Sequence, residues 1–188
     1  MICLSGNLPP LKVGRQKVIG YQTDWIERAL SRAATAGGHH DCPFLAQISH
    51  GVVYFLEKRS SLQAIPIEDL YTRMRAMLCK IGCPQIARHL TPLAPPVTVS
   101  LIGPARLADR CSKETLFEIL EEEIHLLHRD GAEQIRFRDL DAGVQLLQQK
   151  SGDLNDADLL KREIAAFLES HHLHLDSPHR NLQVTLES

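Results

Sequence analysis

Residues 11–21, LKVGRQKVIGY, mix β-branched side chains with Gly14 and Gly20, a pattern that predicts a short hairpin turning near Gly14-Arg15. Thr23 then stands where a side-chain oxygen would cap the first turn of a helix. Asp24 and Glu27 suit the positive end of that helix, and Ile26, Ala29, Leu30, Ala33 and Ala34 recur along one face. Gly37-Gly38 ends it. Pro43 fits the first position of a second helix, whose buried stripe is Leu45, Ile48, Val52, Phe55 and Leu56, with Gly51 weakening it slightly. Pro66 opens a third, with Ile67, Leu70, Tyr71, Met74, Met77 and Leu78 inward and Glu68 and Asp69 at its N-terminal end. Gly82 breaks it, and Pro84 starts a short fourth helix through Ile86, Ala87 and Leu90.

The segment TPLAPP at 91–96 holds three prolines in six residues, which predicts an extended spacer and a domain boundary. Beyond it the pattern changes. Val97 to Ile102 reads as an apolar strand. Ser112 caps a helix carrying Leu116, Phe117, Leu120, Ile124 and Leu127, which Asp130-Gly131 ends. Ile135 and Phe137 alternate with Gln134, Arg136 and Arg138, as in a half-buried strand. A short helix near Ala142 to Gln148 follows, then a loop, SGDLND, and a helix marked by Leu159, Leu160, Ile164, Phe167 and Leu168. Two strands, Leu173–Leu175 and Leu182–Leu186, complete the tail. The fold class expected is α+β, a helical domain over 10–92 followed by a small α/β sandwich over 97–188.

Composition narrows the function classes. Apolar residues make up 44 % and charged residues 23 % of the 188, the balance of an ordered globular protein. A net charge of -2, from 21 basic and 23 acidic residues, leaves no electrostatic footprint for nucleic acid. The stretch MICLSGNLPPLKVGRQ lacks the basic start and apolar run of a secretory signal. No apolar stretch approaches the roughly 18 to 20 residues of a membrane helix. The five cysteines, Cys3, Cys42, Cys79, Cys83 and Cys111, are odd in number and irregular in spacing. That pattern argues for reduced thiols and a cytoplasmic location.

A hairpin followed by four helices over some ninety residues resembles the ATP-cone. This small regulatory module stands at the N-terminus of many ribonucleotide reductases and in the bacterial repressor of their genes. The resemblance covers about residues 10–92. It rests on Lys12, Gly14 and Arg15 at the turn, on Tyr21 five positions before Ile26, and on the motif IPIEDLY. It also rests on Leu78, Gly82, Ala87 and His89 in LCKIGCPQIARHL. The family's basic turn is shortened here to LKVGR, with one basic residue missing and the following strand longer by about two residues. Trp25 replaces the Lys that precedes the first helical Ile. The resemblance implies a site for ATP or dATP, with magnesium, and action through changed association, hence a homo-oligomer. A nucleotide site needs cations for phosphate and a flat apolar slot for the base. Lys12, Arg15 and Lys17 are the expected cations, and Tyr21 or Trp25 the stacking group. The alternative is that the cations solvate a hairpin and Trp25 is core.

Other groups with chemistry compete with this reading. His39, His40, Asp41 and Cys42, together with Cys79, Cys83 and His89, are zinc-capable residues at helix ends, but neither group has standard knuckle spacing and separate loop and core roles account for them better. In the tail, His172, His174 and Asp176 project to one face if 172–176 is a strand, a metal or general-base arrangement or else a polar edge. Asp139 and Asp141 follow a strand at a place where α/β domains bind ligands, and also suit the start of a helix. LIGPAR is no phosphate loop, and no G-x-S-x-G motif occurs. The expectation is a regulatory or adaptor protein without catalytic activity that senses adenine nucleotide and acts on a protein partner. Its rivals are a ligand-free interaction scaffold and a metal-binding protein or metal-dependent hydrolase using the histidine-rich tail.

Overall fold

The computed structural model describes residues 8–39, 42–58, 63–108, 113–151, 156–171 and 182–187. The chain divides into two compact units, Met1–Pro95 and Pro96–Ser188. Both mix helix with a three-stranded sheet, which makes the fold α+β.

In the first unit, strands β1 (Leu11–Val13) and β2 (Gln16–Val18) form an antiparallel hairpin in which Lys12 faces Lys17. Gly14 takes φ 56° at the first of the two turn positions, where the twist of a tight hairpin strains any side chain. Helix α1 (Asp24–Ala36) follows and buries the expected Ile26, Ala29, Leu30, Ala33 and Ala34, and with them Trp25. Thr23 precedes it, but its side chain makes no capping bond; its backbone, at φ -105° and ψ 1°, lies outside the extended region a capping residue adopts.

Helix α2 (Leu45–Lys58) begins two residues after Pro43 and buries Ile48, Val52 and Leu56. The chain then forms β3 (Ile65–Pro66), a strand the pattern did not predict, which pairs parallel to β1. Two residues are too few to show a period, so only the tertiary pairing defines this strand. Helix α3 (Ile67–Lys80) buries Ile67, Leu70, Tyr71, Met74 and Leu78, and α4 (Pro84–His89) buries Ile86 and Ala87.

The proline segment after α4 is extended but is no free spacer. Leu93 and Ala94 are buried, and Leu93 is bound at both ends of its own backbone by Tyr71. The Tyr71 hydroxyl donates to the Leu93 carbonyl and accepts from its N–H, each at 2.9 Å. Arg75 adds a bond from Nε to the Leu90 carbonyl at 3.0 Å. Apolar Leu and Ala between the prolines supply the burial that a solvated linker lacks.

In the second unit, β4 (Val97–Ser100), β5 (Gln134–Arg138) and β6 (Gln183–Leu186) are parallel and lie in chain order. Each crossover carries two helices: α5 (Ile102–Leu107) and α6 (Lys113–Arg129), then α7 (Leu140–Ser151) and α8 (Ala157–His171). The expected strand at 97–102 is cut short because Leu101 already takes helical backbone angles at the start of α5. Crossovers between parallel neighbours are as a rule right-handed, which in chain order carries both helix pairs to one face of the sheet. The burial pattern agrees: Val97, Val99, Ile135, Phe137 and Val184 are buried, whereas Thr98, Arg136, Arg138 and Thr185 are exposed. Helix α6 ends as expected, with Gly131 at φ 93° and Ala132 N–H reaching back to the Leu127 carbonyl at 2.9 Å.

Candidate functional site

The hairpin brings three of the five nucleotide-site candidates together. Lys12 and Lys17 are direct cross-strand partners, both exposed, and Arg15 stands exposed in the turn beside them. They share a face because β1 alternates: Leu11 and Val13 point into the core, which leaves Lys12 outward. Among the described residues, neither lysine has an ion-pair partner. Side chains at such positions start about 5 Å apart, and like charges placed there repel.

The two aromatic candidates are elsewhere. Trp25 is 0 % exposed and Tyr21 is 7 % exposed, so neither ring offers a face to a base. They form an aromatic cluster with Tyr71: Tyr21 meets Trp25 edge-on at 6.3 Å, and Tyr71 is tilted against Trp25 at the same separation. The Tyr21 hydroxyl donates to the Pro9 carbonyl at 2.8 Å, and burial pushes its pKa up to about 12. Among the described residues, the buried Trp25 indole N–H has no hydrogen-bond partner. Trp25 stands four residues before Ala29 and eight before Ala33, on the buried stripe itself, so helical spacing favours the core alternative for it, whereas Tyr21 precedes the helix, where no period applies. The cations of the site are therefore grouped and accessible, and the expected base slot is filled by core.

Among the described residues, the metal candidates do not assemble. Cys42 and Cys83 are half-buried and Cys79 is exposed, all as free thiols, and His39 and His89 are exposed. His40 and Asp41 lie outside the described residues, as do His172, His174 and Asp176 and the strand expected at 173–175. Among the described residues, no group of three or more potential ligands converges.

A second region with grouped polar side chains is the C-terminal end of the parallel sheet. Asp139, between β5 and α7, has φ 64°, a left-handed conformation uncommon for a residue with a side chain. Its carbonyl accepts the Gly143 N–H at 2.9 Å and so starts α7, which agrees with the helix-start reading. Its carboxylate instead accepts the Ser100 hydroxyl at 2.6 Å and lies 3.5 Å from Arg138 Nε, tying the ends of β4 and β5 together. Asp141 pairs with Lys161 at 2.5 Å, and that hydrogen bond raises the lysine's pKa. Asp139 and Asp141 line a cleft of about 630 Å³ together with Leu186, at the end of β6, and Glu187. Ser100 and Glu187 were not legible as members of this group, because only the parallel register sets three strand ends side by side.

No helix among the described residues is long and apolar enough to cross a membrane. No family model, curated protein or solved structure matches this chain.

Proposed function

We propose that this chain is a regulatory or adaptor protein without catalytic activity, and that its first unit responds to ATP or dATP through phosphate contacts on the hairpin. The observation that carries this is the exposed Lys12–Lys17 pair with Arg15 at the adjoining turn. Two unneutralised cations held opposite each other cost stability, and a polyphosphate with its magnesium relieves that repulsion while gaining charge-assisted hydrogen bonds. A ligand that binds one conformation or assembly better than another shifts the balance between them, which is all a sensor requires. In this reading the base rests on surface other than the rings of Tyr21 and Trp25. Calorimetric titration with ATP and dATP, magnesium present, tests it. Micromolar binding is expected, weakened roughly a hundredfold in Lys12→Ala/Lys17→Ala, the loss of about 3 kcal/mol that two charged contacts supply. Identical titration curves for the wild type and the double variant would sink the assignment.

A second reading is a scaffold with the same fold and no nucleotide. The filled base slot at Trp25 and Tyr21 favours it. No binding at millimolar nucleotide is its expected result.

A further inference from the structure

Within the first unit, α2 packs on α1 and α3 packs on α4, and between α2 and α3 lies a cleft of about 420 Å³. Its walls are apolar: Val52 and Phe55 come from α2, and Leu70, Met74 and Met77 from α3, of which Phe55 and Met77 are half-buried and the other three buried. Gly51 lies on its rim, and a side chain there would meet nothing within 4 Å, so the missing Cβ is part of the open space. Two charged residues line the cleft, Arg73 and Lys80, and both are basic and exposed. Neither has an ion-pair partner among the described residues; the Arg73 guanidinium sits over the Phe55 ring at 5.9 Å.

The spacing of these cations selects the occupant. Seven residues apart, Arg73 and Lys80 fall on one side of α3, about 10.5 Å apart along its axis. A small amphiphile has a single head group and reaches one of them. A helix lying along α3 with carboxylates at i and i+7 has the same rise and reaches both. The apolar floor from Leu70 to Met77 runs about 10.5 Å, two helical turns, enough for side chains at i, i+3 or i+4, and i+7. Met77, half-buried, unbranched and polarizable, adapts to such side chains. This chain's own acidic helix does not qualify: α6 carries Glu114 and Glu121 seven residues apart, but its apolar stripe of Leu116, Leu120, Ile124 and Leu127 is buried in its own unit.

We propose that the α2–α3 cleft docks an amphipathic helix of another protein, one that presents an apolar stripe flanked by carboxylates seven residues apart. The proposal is independent of whether the hairpin binds nucleotide. The probe is a labelled synthetic helix of about four turns, with Leu on one face and Glu at two flanking positions seven apart, titrated with the full chain by fluorescence anisotropy. Its control carries Lys in place of both Glu residues. The cleft is blocked by Gly51→Leu, which fills open space in a helix interior and replaces a poor helix former, so the fold is kept and a thermal melt verifies it. The Glu peptide should bind at least about tenfold more tightly than the Lys peptide. Gly51→Leu should abolish that binding, and Arg73→Glu/Lys80→Glu should reverse the preference. Equal affinity for the two peptides, undiminished binding by Gly51→Leu, or no binding of either peptide overturns the proposal. So does either competing occupant: dodecanoate filling the cleft while the peptide does not, or self-association of the chain that Gly51→Leu abolishes.

Discussion

The two units solve the same problem, covering a three-stranded sheet, in different ways. In the first, the strands are only two or three residues long, and the helices form most of the core. The sheet is closed on that core by aromatic side chains with polar tips: Tyr21 fastens the chain before β1, and Tyr71 fastens the segment after α4. In the second, the sheet is the frame. Its inward residues are Val, Ile and Phe, its crossovers bring the helices back over one face, and the polar chemistry collects at the strand ends. The contrast is that of a helical core pinned by hydroxyls against a sheet whose register does the positioning.

The sharpest way to break this contrast is at the largest side chain of each core. Trp25 and Phe137 are both fully buried, and replacement of either by Ala should cost about 3–5 kcal/mol in chemical denaturation. Hydrogen exchange should then rise in the unit that carries the substitution, not in the other; equal acceleration in both would show that the two cores are one. A smaller loss is expected for Tyr71→Phe, which leaves the Leu93 N–H and carbonyl without their partner, at about 1–3 kcal/mol. The matching readout is faster exchange at Leu93, since that amide loses its acceptor. An unchanged melt would mean that burial of Leu93 alone holds the segment.

The smallest effect is confined to high pH. Tyr21 ionises at 10.0 in an unfolded chain and at about 12 in the folded one, because burial penalises the phenolate. The folded state keeps its proton longer, so the contribution is intact below pH 10 and is lost as pH rises toward 12. Tyr21→Phe should flatten that part of the stability profile, and an unchanged slope between those limits would assign the alkaline loss to other groups.

Most of the helices were legible because apolar residues recur at helical spacing along one face, with Gly or Pro marking ends such as Gly82, Pro84 and Gly131. The hairpin was legible from Gly14 between two β-branched runs. Boundaries slipped where side-chain pattern and backbone angles disagree, at Thr23 and at Leu101. The candidate site was half legible. Charge on the hairpin follows from alternation, which places Lys12 and Lys17 outward, and helical spacing puts Trp25 on the buried face of α1, but the ring of Tyr71 packed against Trp25 arrives from a helix nearly fifty residues away. Nothing local announces that contact.

Sequence by itself therefore determined what one strand or one helix can know: the period of its apolar face, the residues that start and stop it, and the exposure of the hairpin cations. These are set by neighbours within a turn or two, where backbone geometry fixes which side chains share a face. Tertiary structure alone decided the rest. It added β3 to β1, folded the proline segment onto Tyr71, set Asp139 and Glu187 on one cleft with Ser100 bound to Asp139, and left the space at Gly51 between two helices unfilled. Each of these depends on long-range pairing and packing, whose register no local pattern specifies.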